Sequence, residues 1–346
     1  ARIAGIPILY DFIRFIFIKL LGIDNDIKSI FEKENPSLII HPSILQGYYV
    51  NDLLGMYERS KKSIPLIFLM NSWDNPSSKA FCTGSPTKLV VWGNQTKNHA
   101  VKYMKMSPED IECFGAAQFE IYKKKCRYTK KELAEFFKVD PNKKIILYAG
   151  AGSGKHETEY LIELDNFISK NYLNNCHIIY RPHPWRGLLG EGEKDFFSIK
   201  WENISIDPTM SDYYKKQIRN PSQHPSLFDY EISYKLLNLV DAVISPLSTM
   251  LIESLLNGKP ILLFFPKKRN DGAQSTEVSH YSELIKLKNV NVCFEEKEFL
   301  SSCLKLFSQI NSKTFGRSLK KDSEFFVKSS KISYGENLYK LVKKYI

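Results

Sequence analysis

Two segments in which an apolar run stops abruptly at polar groups constrain this chain most. His177 to Trp185 reads HIIYRPHPW, a short β run closed by Arg, His and two prolines. Asp241 to Phe265 reads DAVISPLSTMLIESLLNGKPILLFF, a strand, a Ser-Thr turn, a helix, a Gly-Lys-Pro break and a second strand. Both put polar groups where strands end. In an open parallel sheet the carboxyl ends of the strands are where ligands bind, and helix N-termini there present free N–H groups suited to phosphate. The pattern points to an anionic, nucleotide-bearing ligand.

The rest of the chain repeats the alternation. Ser37–Pro42, Pro65–Trp73, Lys88–Trp92 and Ile111–Gly115 read as strands, separated by helical patterns over Gly47–Ser60 and Gln95–Lys105. Strands alternating with helices predict a parallel α/β sheet. Tyr122–Asp140 is Lys-rich and reads as a linker with a first helix. The alternation then restarts with IILYAG after Lys144, the loop AGSGKHE, a helix over Glu157–Tyr172 and HIIYRPHP. Residues 187–235 are polar and irregular. Further strands are expected at Asp241–Ser245, Ile261–Phe265 and Val290–Phe294, and a helix over Glu324–Ile346.

Arg181-Pro182-His183-Pro184 and Ser248-Thr249 resemble the His-Pro and Ser-Ser signatures of bacterial sialyltransferases and Kdo transferases. The segment around Ser248 resembles the nucleotide-binding half of GT-B glycosyltransferases, UDP-N-acetylglucosamine 2-epimerases and CDP-glycerol glycerophosphotransferases. SWDNPSSK, VVWGNQTKNHAV and IECFGAAQFEIY are similar to the N-domain ending of bacterial surface-polysaccharide glycosyltransferases. The resemblance implies a GT-B fold, two Rossmann-like domains with parallel sheets and a cleft between them. It implies an acceptor-side domain over 1–122, a nucleotide-sugar domain over 123–322, and a helix over 323–346 crossing back to the first domain. It also implies that the first strand and glycine loop of the N-domain are missing or reduced here, as a truncation upstream would leave them. The acidic pair followed by Gly of sialyltransferases is absent, which weakens that particular likeness.

The 346 residues, 43% hydrophobic and 25% charged, suffice for two globular domains. Six cysteines without any C-x-x-C signal neither a zinc site nor a disulfide framework, so a cytoplasmic compartment is expected. The net charge of +11 suits nucleotide phosphates, anionic glycans or an anionic membrane surface. Its basic runs are dispersed and carry no nucleic-acid module, so no nucleic-acid partner is expected. Ile6–Ile23 is apolar but interrupted by Asp11, Arg14 and Lys19, which excludes an ordinary span. It reads as an amphipathic helix, either packed on a core or in peripheral contact with the inner face of a membrane.

The polar candidates divide by place. Gly150 to Lys155 follows a strand and precedes a helix, so Gly152 and Ser153 belong either to a sugar-nucleotide loop or to a tight turn. It is not a P-loop, because the glycine spacing fails and His156 replaces the magnesium-binding Ser or Thr. Arg181 offers forked donors for phosphate oxygens. His183 reads as a phosphate ligand or a proton donor to the leaving nucleotide, or else as a turn histidine. Ser248 and Thr249 read as a phosphate-binding helix start or an ordinary N-cap. Glu253 lies one turn on and does not fill a capping box with Ser248 or Thr249. The resemblance places it at the position holding the nucleotide ribose, and places Gln274 and His280 beside the cleft, in a stretch that otherwise reads as a solvated basic loop. Asp74, after a strand of the first domain, is the candidate general base or a turn residue, with His41 its rival. The expected activity is transfer of a sugar from a CMP- or UDP-linked donor to a glycan or glycolipid acceptor; the alternatives are polyol-phosphate transfer from CDP-glycerol or a related donor, a UDP-sugar 2-epimerase-like reaction, and a basic, non-enzymatic protein binding anionic polymer. No Asp-x-Asp pair stands at a strand end, so neither a metal nor a cofactor is expected.

Overall fold

The apolar runs of the second half do not alternate with polar residues. In KIILYA every residue after Lys144 is buried, and AVIS and ILLF are buried throughout. Strands of this kind are covered on both faces, which is how parallel sheets sit between helices. The computed structural model describes residues 7–20, 24–42, 50–59, 63–78, 85–150, 157–183, 196–219, 229–265 and 279–346. The chain divides into two compact units, residues 1–120 with 324–346, and residues 121–323.

In the first unit, β1 (Ile39–His41), β2 (Leu66–Leu69), β3 (Lys88–Val91) and β4 (Ile111–Cys113) form a parallel sheet in chain order. Leu66, Phe68, Leu89 and Val91 point into one cluster with Leu54, Ala100 and Met104 from the flanking helices. Ile67, Val90 and Phe114 pack on the other face against Leu341 of the C-terminal helix Tyr334–Val342. Residues 324–333 are not the continuous helix expected over Glu324–Ile346. Their backbone serves the sheet instead: Gln95 N–H donates to the Phe325 carbonyl at 3.0 Å and Lys328 N–H to that of Trp92 at 2.8 Å. A Cβ on Gly93 would stand 2.6 Å from the Phe326 carbonyl oxygen, so only glycine admits this approach.

In the second unit, β5 (Lys144–Ala149), β6 (Cys176–Arg181), β7 (Ile204–Ile206), β8 (Ala242–Ser245), β9 (Ile261–Phe264) and β10 (Asn291–Cys293) form an all-parallel sheet ordered β10-β9-β8-β5-β6-β7. Counted along the chain this is the doubly wound order, 3-2-1-4-5-6 read from β7, and it reverses between β5 and β8. The core gathers Ile146, Tyr148, Ile178, Tyr180, Ile244 and Phe264 with Leu161, Leu164, Phe299 and Leu306 of the covering helices. The region read as irregular, 187–235, holds β7 and the helices Pro208–Arg219 and the start of Tyr230–Leu239. A three-residue strand is too short to show a period, and the Pro208 helix is polar outside Met210 and its few apolar neighbours.

Candidate functional site

The strand ends on either side of the β5/β8 reversal converge. Ala149 of β5 pairs in register with Arg181 of β6, and Gly150 N–H donates to the Arg181 carbonyl at 2.9 Å. Across the reversal, the Ser245 hydroxyl at the end of β8 donates to the Ala149 carbonyl at 2.7 Å. These bonds fix three chain segments around a cavity of about 410 Å³ lined by Gly150, Arg181, His183, Ser248, Thr249, Glu253, Tyr230 and Tyr281, among others. The volume lies within the range of small-ligand sites, about 300–1,000 Å³.

Each lining group has a local cause. A Cβ at Gly150 would fall 2.5 Å from Glu157 Oε2, so the bare glycine lets that buried carboxylate lie under the cavity floor, where it accepts from the Tyr180 hydroxyl at 2.9 Å. Arg181 is buried, and its Nε stands 3.6 Å from Oδ2 of the fully buried Asp207. Asp207 in turn accepts from the Thr209 N–H at 2.9 Å and hydroxyl at 2.6 Å. The guanidinium is thus aimed by a fixed carboxylate, and its charge is partly balanced before any ligand arrives. The Ser248 hydroxyl accepts from Met250 N–H at 3.2 Å, opening the seven-residue helix Met250–Leu256, while Thr249 makes no side-chain cap.

Glu253 sits on that helix and is 6% exposed. Burial raises its carboxyl to about 7, opposed by the hydrogen bond that the Tyr122 hydroxyl donates to its Oε2 and by the nearby Arg181 charge. Burial also raises the Tyr122 phenol far above its ordinary value, with Glu253 adding to the effect. Tyr122 lies in the last turn of the 3-10 helix Ala117–Lys123, where its ring lies 6.3 Å from Tyr234.

The remaining candidates fall into three groups. His280 is buried in the helix Ser279–Ile285 with its ring 4.3 Å from that of Tyr281, and Tyr281 is the one that reaches the cavity. Gly152, Ser153 and Gln274 lie outside the described residues. Asp74 belongs to the first unit, where its carboxylate accepts from the Ser72 and Ser78 hydroxyls, the latter at 2.9 Å, as the helix Asn75–Ser78 begins. His41 packs its ring 5.5 Å from Phe68, and burial lowers its pKa. Among the described residues no group of three or more His, Cys, Asp or Glu is placed to hold a metal. Sequence reasoning missed Tyr122, Tyr230 and Asp207. Only Asp207 left a trace, since Asp-Pro-Thr marks the start of the following helix.

No protein-family description and no curated protein matches this sequence. Solved structures do. A protein described as a UDP-N-acetylglucosamine 2-epimerase from Listeria monocytogenes superposes with a TM-score of 0.57 at 12% identity, covering 92% of this chain and 76% of its own. The S. aureus MnaA–UDP structure gives 0.50 at 10% identity, covering 96% and 80%. The fold is GT-B. A glycosyltransferase from Rickettsia africae also matches, at a TM-score of 0.47 and 16% identity, covering 96% and 81%. At such identities the GT-B likeness establishes the architecture of the chain.

Proposed function

We propose that this GT-B chain is a glycosyltransferase that moves a sugar from a nucleotide-activated donor to a bacterial surface glycan, a capsule, lipopolysaccharide or similar polymer. The observation that carries it is the cavity at the β5/β8 reversal, where Arg181, His183, Ser248, Thr249 and Glu253 come together from three strand ends. The bound UDP in the S. aureus MnaA structure, on the same fold, supports a nucleotide as occupant.

In this reading Arg181 and His183 take the donor phosphates, and His183 passes a proton to the leaving nucleotide. Ser248 and Thr249 border the phosphates, and Glu253 accepts from the ribose. Gly152, Ser153 and Gln274 complete the donor side, with His280 backing Tyr281 at its edge. The leaving charge is neutralised by these groups rather than by a metal or a cofactor. Asp74 serves the acceptor hydroxyl as base. The reaction takes place at the inner face of the plasma membrane, with the Pro7–Leu20 helix in peripheral contact.

A ligand that binds only the folded state raises its melting temperature by mass action. UDP or CDP at millimolar concentration is expected to produce such a rise. No shift with any common nucleotide would remove the donor reading.

A further inference from the structure

The Tyr122 hydroxyl already makes the bond that the proposed function assigns to the donor's ribose. It donates to Oε2 of Glu253 from 131 residues away in sequence. A phenol O–H and a ribose O–H are interchangeable donors to a carboxylate. Glu253 is 6% exposed but lines the cavity, so little of its carboxylate is open to a second hydroxyl. Tyr122 is also held where it is. Its ring lies against Tyr234 at 6.3 Å, and the Tyr234 hydroxyl donates to the Lys124 carbonyl, two residues along, at 3.2 Å.

We infer that Tyr122 is a built-in competitor for the donor: its hydroxyl occupies the ribose-binding carboxylate and has to be turned aside for a nucleotide to bind. The inference rests on the reading of Glu253 as the ribose acceptor. Apparent affinity then falls by the fraction of molecules in which the phenol has let go. Tyr122 thereby sets donor affinity without contributing to it. A positioning residue would act in the opposite direction, holding the carboxylate in place so that its loss weakens binding.

Calorimetric titration of wild type and Tyr122→Phe with UDP and CDP, and with their 2′,3′-dideoxy forms, separates these cases. Tyr122→Phe is expected to bind the ribonucleotide about 3- to 10-fold more tightly, the effect of one hydrogen bond. Its affinity for the dideoxy form should match that of wild type. Weaker or unchanged ribonucleotide binding in Tyr122→Phe, with wild type still preferring the ribonucleotide over the dideoxy form, overturns the competitor and leaves Glu253 as the ribose acceptor. Equal binding of both forms to Tyr122→Phe, in which nothing competes for Glu253, overturns the ribose reading and the competitor together, as does absence of all binding. If Tyr122→Phe fails to fold, Tyr234→Phe releases the clamp on Lys124 while leaving Glu253 untouched. It is expected to tighten ribonucleotide binding in the same direction by a smaller factor, and no tightening overturns the competitor.

Discussion

At Glu253 burial and hydrogen bonding pull in opposite directions, and burial wins, holding the carboxyl at about 7. An acid whose folded pKa is raised keeps its proton in the folded state while the unfolded chain loses its own. Its contribution to stability is therefore complete below the ordinary carboxyl value of 4.5 and is lost as pH rises through about 7. The loss is on the order of 3 kcal/mol, because each tenfold change in proton affinity is worth about 1.4 kcal/mol. Glu253→Gln is expected to remove this part of the pH dependence, read as melting temperature from pH 5 to pH 8. An unchanged slope would mean that Glu253 is ionised throughout. Asp74 poses a different question, because its hydrogen bonds account for it as a turn residue whether or not it acts as a base. As the base, Asp74→Asn should lose about 10²–10⁴-fold in turnover with nucleotide affinity kept. Wild-type turnover would leave it only a structural role. The candidates that the sequence exposed were those at strand ends with unusual neighbours, Arg181 and His183 among prolines and Glu253 without a capping partner. Tyr122 and Asp207 were hidden because an ordinary Tyr in a Lys-rich stretch and an Asp before Pro acquire meaning only from what the fold brings to them.

Among elements, strands announced themselves best where burial on both faces made them continuous apolar runs, as in β5, β6, β8 and β9. The Gly-Lys-Pro break after the Met250 helix was also legible, and the structure supplies its cause. Gly258 adopts a φ of +66°, and a Cβ there would meet the Gly316 carbonyl oxygen at 2.7 Å. The short β7 and the Pro208–Arg219 helix were not legible, since neither carries enough apolar positions to show a period. The Pro7–Leu20 helix turns Ile8, Phe12 and Phe15 outward, at 83%, 56% and 54% exposure and at i, i+4 and i+7 spacing. Among the described residues no helix is long and apolar enough to cross a membrane. Exposed apolar side chains beside Lys19, on a protein of net charge +11, suit the surface of an anionic bilayer. Sedimentation with vesicles containing anionic lipid should carry the protein down, and Phe12→Glu with Phe15→Glu should leave it in the supernatant. Equal sedimentation of both would assign the exposed face another use.

For the molecule as a whole, parallel α/β architecture followed from the alternation of elements, whereas the strand order did not. Order depends on which apolar runs pair, and runs as alike as IILY, VIS and ILLF carry no label for their neighbours. That order decides the site, because it puts the reversal between β5 and β8 and so brings Gly150, Arg181 and Ser248 together. The membership of residues 324–346 in the first unit likewise depends on long-range bonds, through Phe325 and Lys328 to the segment around Gly93. Whether a nucleotide occupies the reversal of the six-stranded sheet can be read by amide hydrogen exchange with and without saturating UDP or CDP. Protection is expected at the ends of β5 and β6 and across Leu247–Glu253. Protection confined to residues 1–120 would place the nucleotide away from this reversal.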